Sequence, residues 1–182
     1  MENDFNKWID EKGPAFFKKI GIKPGQKMLD FGCGWGSNAI AITKVVAPSG
    51  RVYALEKEND YIKKLLKAVG NKGRENLEVI ESSYKISIPI DDRELDGAIL
   101  YDVIHDHYFD SPGRKRLFKE MQRIIKKGGL LSIFPHHIDE DGINTIKKEI
   151  SDSGFTLRDI IRDMILHDSI FIKDRVFNFT RD

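Results

Sequence analysis

The chain has 182 residues, 40% of them apolar and 32% charged, with a formal net charge of +1. That balance is ordinary for a soluble globular protein, the length fits one domain with a sizeable core, and the charge gives no global pull toward nucleic acid or anionic lipid. No run of about 18 apolar residues exists to span a bilayer. The start, Met-Glu-Asn-Asp-Phe-Asn, lacks the charged and apolar regions of a signal peptide, so the expected location is the cytoplasm. Cys33 is the only cysteine, which rules out an intrachain disulfide.

Residues 5–20 set Phe5, Trp8, Ile9, Phe16 and Phe17 among lysines. Gly13-Pro14 reads as a break, predicting two short helical pieces. From Lys27 to Asn38 a short apolar run, Met-Leu-Asp-Phe, passes into a loop with glycines at 32, 34 and 36. Without side chains, Gly32, Gly34 and Gly36 let the backbone turn sharply and let a ligand approach it. Cys33, beside them, reads as a small loop filler. Ala39, Ile40, Ile42, Val45 and Val46 then fall at roughly helical spacing, so the loop amides open onto a helix N-terminus.

Asp30 narrows the ligand. A carboxylate two residues before the first glycine repels a pyrophosphate but pairs well with an ammonium group. The G-x-G-x-G spacing also differs from the G-x-G-x-x-G of dinucleotide sites. Arg51 to Leu55 makes a second apolar run closed by Glu56, about 20 residues past the loop, where a carboxylate meets ribose hydroxyls.

Tyr61, Ile62, Leu65, Leu66 and Val69 predict a crossover helix with lysines on its other face, ending near Gly70-Asn71-Lys72-Gly73. Leu77 to Ile80 predicts a third strand, followed by Ser82-Ser83-Tyr84, and Leu95 to Tyr101 a fourth, running into Asp102 to Tyr108. A helix is expected from about Gly113 to Ile125, with Leu117, Met121, Ile124 and Ile125 inward and basic residues, Arg114 to Arg116 with Lys119 and Arg123, outward. Lys126-Lys127-Gly128-Gly129 reads as a turn before a fifth strand, Leu130 to Phe134. Another helix follows over Asp139 to Ser153, then a final part starting at Gly154 to Leu157 and closing with a strand at Arg175 to Thr180. Strands alternating with helices argue for a parallel sheet covered on both faces, with ligands at the carboxyl ends of the strands.

Together these residues resemble the class I S-adenosylmethionine-dependent methyltransferases. The family's first motif, an acid followed by G-x-G-x-G, is matched by Asp30, Gly32, Gly34 and Gly36. Its second, an acid ending the next strand, is matched by Glu56, and Leu95 to Tyr101 matches its fourth-strand segment. Lys126 to Gly129 stands where the family has K-P-G-G, without the proline. The resemblance spans nearly the whole chain. It implies an α/β fold: one Rossmann-like, doubly wound domain over residues 1–182, with a mostly parallel seven-stranded sheet, helices on both faces and an antiparallel last strand. Residues 1–24 would be an N-terminal helical lid and 25–182 the core. The implied cofactor is S-adenosyl-L-methionine, held by Asp30, Gly32, Gly34, Gly36, Asn38, Glu56, Lys57, Ser83, Tyr84 and Tyr101. Ser83 stands where the family commonly has an acid that reads adenine.

Four of the five histidines, His105, His107, His136 and His137, lie after the fourth and fifth strands, whose loops in the resembled fold border the transferable methyl. Three readings stay open. A histidine helped by Asp102 or Asp106 could remove a proton from the acceptor. The same groups with Asp139 could hold a divalent metal, although the spacing matches no zinc or calcium pattern. They could also be ordinary polar loop residues. The expected catalytic residues are His105, Asp102 and His136, with no metal. The expected activity is methyl transfer to a small-molecule acceptor. No membrane or nucleic-acid partner is expected, and with so short an N-terminal segment the pocket is expected to be open, or closed by that segment alone or together with the second subunit of a homodimer. The alternatives are an RNA or protein methyltransferase, a non-catalytic cofactor-binding regulatory module, and a nicotinamide-dependent dehydrogenase, which Asp30 and the glycine spacing disfavour.

Overall fold

The computed structural model describes residues 2–70, 75–82 and 86–182. Seven strands form one mixed sheet: β1 Lys27–Phe31, β2 Arg51–Glu56, β3 Leu77–Glu81, β4 Leu95–Tyr101, β5 Ile125–Phe134, β6 Phe155–His167 and β7 Ile170–Arg181. Their order across the sheet is β3-β2-β1-β4-β5-β7-β6. The helices are α1 Glu2–Lys7, a π-helical segment Trp8–Lys12, α2 Gly13–Lys19, α3 Ser37–Val46, α4 Asn59–Val69, α5 Ser111–Ile124 and α6 Glu140–Asp152. By internal contacts the chain divides into two compact units, Met1–Ser83 with Arg162–Asp174, and Tyr84–Ile161 with Arg175–Asp182.

In the first unit β1 and β2 pair in parallel from Lys27↔Arg51 to Phe31↔Leu55. β2 pairs in parallel with β3 from Val52↔Leu77 to Glu56↔Glu81. This register brings the end of β1 and Glu56 to the same carboxyl edge. The expected break at Gly13-Pro14 is not there. Pro14 stands at the start of α2, which follows the π-helical segment without leaving helical backbone: Lys12 and Gly13 are both right-handed helical, and Gly13 N donates to Trp8 O. A Cβ on Gly13 would lie 2.7 Å from Ala41 Cβ and 2.8 Å from Trp8 O, so this glycine serves the close approach of α2 to α3. Trp8 and Phe17 are fully buried and Phe16 nearly so. Trp8 and Phe17 meet edge to face at 5.9 Å, and Phe171 lies 6.2 Å from Trp8.

In the second unit β4 and β5 are parallel, and β5 pairs antiparallel with β7 from Leu130↔Thr180 to Ile133↔Phe177. The turn expected at Lys126 to Gly129 is instead a bulge within β5: the register passes from Leu95↔Ile125 to Gly97↔Leu130. Gly128 takes a φ of +77°, and a Cβ on Gly129 would lie 2.9 Å from Asp96 O. Helix α5 thus runs directly into the strand. The last two strands are longer than the sequence suggests. They are joined at Asp168 and Ser169, whose φ values of +45° and +68° suit a two-residue hairpin turn. Phe118, Phe134, Phe155, Phe177 and Phe179 fill this unit's core.

Candidate active site

The glycine loop is anchored from below. The amides of Gly32 and Cys33 both donate to Leu55 O, at 2.9 and 3.0 Å, and Gly36 N donates to Cys33 O at 2.9 Å. Gly32, Gly34 and Gly36 all have positive φ, at +73°, +54° and +80°. Their reasons differ. A Cβ on Gly34 would meet nothing within 4 Å, so open space lies beside that backbone. A Cβ on Gly36 would sit 2.1 Å from Leu65 Cδ1, so Gly36 is required for packing against α4.

Glu56 is buried, yet its carboxylate is fully oriented. Oε2 accepts from Gly34 N at 2.7 Å, and Oε1 accepts from Lys57 N at 2.8 Å and Glu58 N at 3.0 Å. A carboxylate oxygen with spare lone pairs, fixed by amides, suits the reading of vicinal hydroxyls. Asp30 is 1% exposed. One of its oxygens accepts the Ala39 amide in the first turn of α3, while Oδ2 has no hydrogen-bond partner among the described residues. Burial pushes its pKa from 3.8 up to about 7, the Ala39 amide opposes the rise, and Glu56 adds to it. A buried carboxylate with an orphaned oxygen can be satisfied by a cation or by a proton. Cys33 is buried, and burial together with Asp30 and Glu56 pushes its thiol well above its ordinary range, which suits a loop filler and not a nucleophile.

Other expected cofactor residues lie around this loop with their own partners. Asn38 Oδ1 accepts from Trp8 Nε1 at 3.0 Å. Lys57 is exposed, with Nζ 3.7 Å from Glu58. Ser83 and Tyr84 lie outside the described residues. Ser82, just before them, donates its amide to Glu56 O at 2.8 Å. Trp35, which the sequence reading passed over, is 45% exposed within the loop, with Lys64 Nζ 4.4 Å from its ring centroid.

Four of the five histidines lie in the second unit. Tyr101 turns its phenol into the sheet: its hydroxyl lies 3.0 Å from Ser132 Oγ, which donates to Asn178 Oδ1 at 2.7 Å. Asn178 Nδ2 in turn donates to Asp159 at 2.6 Å. Because the serine proton goes to Asn178, Tyr101 is the donor to Ser132. Asp102 has a φ of +56°, and its amide donates to Phe134 O at 2.9 Å. His105 Nε2 lies 4.0 Å from Asp102 Oδ1, and the His105 ring packs 4.7 Å from Tyr108. The His107 ring is 5.9 Å from that of His105. After β5, His136 stacks on Phe134 at 5.3 Å and lies 4.1 Å from His137. These residues fall in two groupings, Asp102 with His105 and His107, and His136 with His137. Asp139, considered as a metal ligand, caps α6 by accepting from Gly142 N at 2.8 Å.

The expected outward basic face of α5 holds for Lys115, Arg116 and Lys119, which are exposed, but not for Arg114 and Arg123. Arg114 is buried against Glu149, and Arg123 bonds Glu120, Asp92 and the carbonyls of Ile88 and Ile90. Acids 35 and 31 residues away in sequence, Glu149 and Asp92, supply these partners, which helical spacing alone does not reveal.

Comparison with known proteins adds a second line of observation. A family model described as "Methyltransferase domain" matches residues 28–129. A demethylmenaquinone methyltransferase of Staphylococcus carnosus is 34% identical over 116 residues, 62% of this chain and 44% of that protein. One of a Geobacillus species is 31% identical over 127 residues, 68% of this chain and 49% of that protein. The chain thus spans about half the length of these relatives or less. Among solved structures, a SAM-dependent methyltransferase from Aquifex aeolicus superimposes with a TM-score of 0.74 at 19% identity, covering 97% of this chain and 92% of that one. Aeropyrum pernix fibrillarin with natively bound S-adenosyl-L-methionine gives 0.66 at 17% identity, covering 97% and 76%. Among the described residues no helix is long and apolar enough to cross a membrane.

Proposed function

The chain belongs to the methyltransferase domain family, and from that premise we propose that it transfers a methyl group from S-adenosyl-L-methionine to a small-molecule acceptor in the cytoplasm. The observation that carries this reading is the orphaned, buried Asp30 Oδ2 next to a glycine loop with open space at Gly34. That set fits the cofactor's chemistry: an ammonium group for Asp30, ribose hydroxyls for Glu56, and no side chain in the way at Gly34. It does not fit a pyrophosphate, which Asp30 would repel.

When bound, the cofactor supplies a methyl group already activated on a sulfonium sulfur. The chain then has to hold the acceptor in line and manage one proton. The proton that the acceptor would lose on methylation is what the chain's own residues would have to take. We assign that proton to His105, whose Nε2 lies 4.0 Å from Asp102 Oδ1. His136, stacked on Phe134, is assigned to orienting the acceptor. Asn38, Lys57, Ser83 and Tyr84 complete the cofactor set in this reading. Tyr101, hydrogen-bonded to Ser132, is assigned to the same set.

Demethylmenaquinone, the acceptor in the relatives' names, is the first acceptor to test. Purified protein incubated with S-adenosyl-L-methionine and demethylmenaquinone, then with a panel of small phenols, amines and thiols, should yield S-adenosylhomocysteine and a methylated product with at least one of them. Affinity for the cofactor without product formation across the panel, while methyl groups appear on added RNA or protein, would overturn the small-molecule assignment.

A further inference from the structure

Arg114 stands in the first turn of α5, where the amphipathic pattern places it outward, yet its side chain is 7% exposed and that of its partner Glu149 is 5% exposed. Its guanidinium is used on two sides. Toward α6, Nε donates to Glu149 Oε2 at 2.8 Å and Nη2 to Oε1 at 3.4 Å. Ser111 Oγ adds a hydrogen bond of 2.6 Å to the same carboxylate. Toward the loop after β4, Nη1 donates to Phe109 O at 3.0 Å and to the Asp106 carboxylate. Asp106 itself has a side chain 86% exposed, so the buried guanidinium reaches out to a group in solvent.

A buried ion pair contributes little net stability compared with apolar packing, because desolvation offsets the Coulombic gain. What the planar fork provides is direction. The two loop groups that it holds bracket a single turn of chain. His105 O accepts from Tyr108 N at 3.0 Å and from Phe109 N at 3.1 Å, closing that turn. Asp106 follows His105, and Phe109 ends the turn, so one guanidinium ties both sides of the segment that carries the His105 ring.

We propose that Arg114 is a positioning residue: anchored by Glu149, it fixes the Asp106 to Phe109 turn and thereby the orientation of the His105 imidazole. The catalytic consequence rests on the assignment of His105 as proton acceptor, while the positional one does not. A lysine carries the charge but cannot bond Glu149, Asp106 and Phe109 O together, because its donors radiate from one nitrogen.

The test is nuclear magnetic resonance of the whole protein with labelled histidine and tyrosine, with His105 identified by its loss in His105→Ala. In Arg114→Lys the His105 ring signals should shift and the contacts between the His105 and Tyr108 rings should weaken. With an active acceptor, turnover should fall at least tenfold while the KM for S-adenosyl-L-methionine stays within twofold. A folded Arg114→Lys protein with His105 signals unchanged overturns the proposal, whatever its rate. If that variant does not fold, Asp106→Asn decides the matter: its carboxylate is at the surface, and the His105 signals must still shift, an unchanged spectrum being refutation. Wild-type turnover in His105→Ala would sink the proton-acceptor assignment alone, and the spectra would still test the positioning.

Discussion

Replacing Asp30 by asparagine separates the cost of its burial from the benefit of its charge. The carboxyl is fully buried with a pKa of about 7 against an ordinary 3.8. The native protein therefore keeps a proton that the unfolded chain gives up, so stability falls as pH rises from about 4 to about 7 and is level above that. Three pKa units at about 1.36 kcal/mol each set an upper bound of about 4 kcal/mol on this loss. The asparagine amide does not ionise and escapes it. The melting temperature of Asp30→Asn relative to the parent should thus climb by at most about 7–14 °C between pH 4.5 and pH 8, at about 2–4 °C per kcal/mol for a chain of this size. Binding should move the opposite way. If the ionised carboxylate meets the cofactor ammonium, the parent's association constant rises about tenfold per pH unit between pH 5 and 7, and the variant's is weaker and flat. Scanning calorimetry and isothermal titration across that range measure both. A melting difference independent of pH, or a parent affinity without slope, would refute the reasoning.

Three further outcomes are expected. Glu56→Ala leaves the Gly34, Lys57 and Glu58 amides without their acceptor and removes the ribose partner, so cofactor affinity should drop by about 1–3 kcal/mol, as measured by titration calorimetry. His105→Ala should lose turnover while keeping cofactor affinity, and a parental rate would remove it from the chemistry. Gly36→Ala combines a φ of +80° with a Cβ 2.1 Å from Leu65 Cδ1. It should destabilise folding by roughly 2–5 kcal/mol in urea titrations, and pairing it with Leu65→Ala should recover part of that loss.

Much of the parallel half of the sheet is legible because its strands are short apolar runs punctuated by glycine. Lys27–Phe31, Arg51–Glu56 and Leu95–Tyr101 fall where the runs do. The long final hairpin is less legible, because Arg158, Asp159, Arg162 and Asp163 interrupt the apolar alternation of β6, which at the sheet edge need not bury both faces. Pro14 misleads for another reason: a proline in a first turn starts a helix as readily as it ends one. At the site, the acids and glycines stand out by spacing, but their separate jobs do not. Gly34 borders open space and Gly36 borders Leu65, a distinction made by α4 alone. Arg114 is invisible from sequence because Glu149 reaches it from another helix.

Whether the glycine loop accepts an amino-acid nucleoside or a phosphate-bearing dinucleotide decides the function. Isothermal titration of the parent protein at pH 8 with S-adenosylhomocysteine and, separately, with a nicotinamide dinucleotide measures this directly. Saturable one-site binding of the first, weakened by about 1–3 kcal/mol in Glu56→Ala, with no heat from the second is predicted. Binding of the dinucleotide with none of S-adenosylhomocysteine would contradict the account.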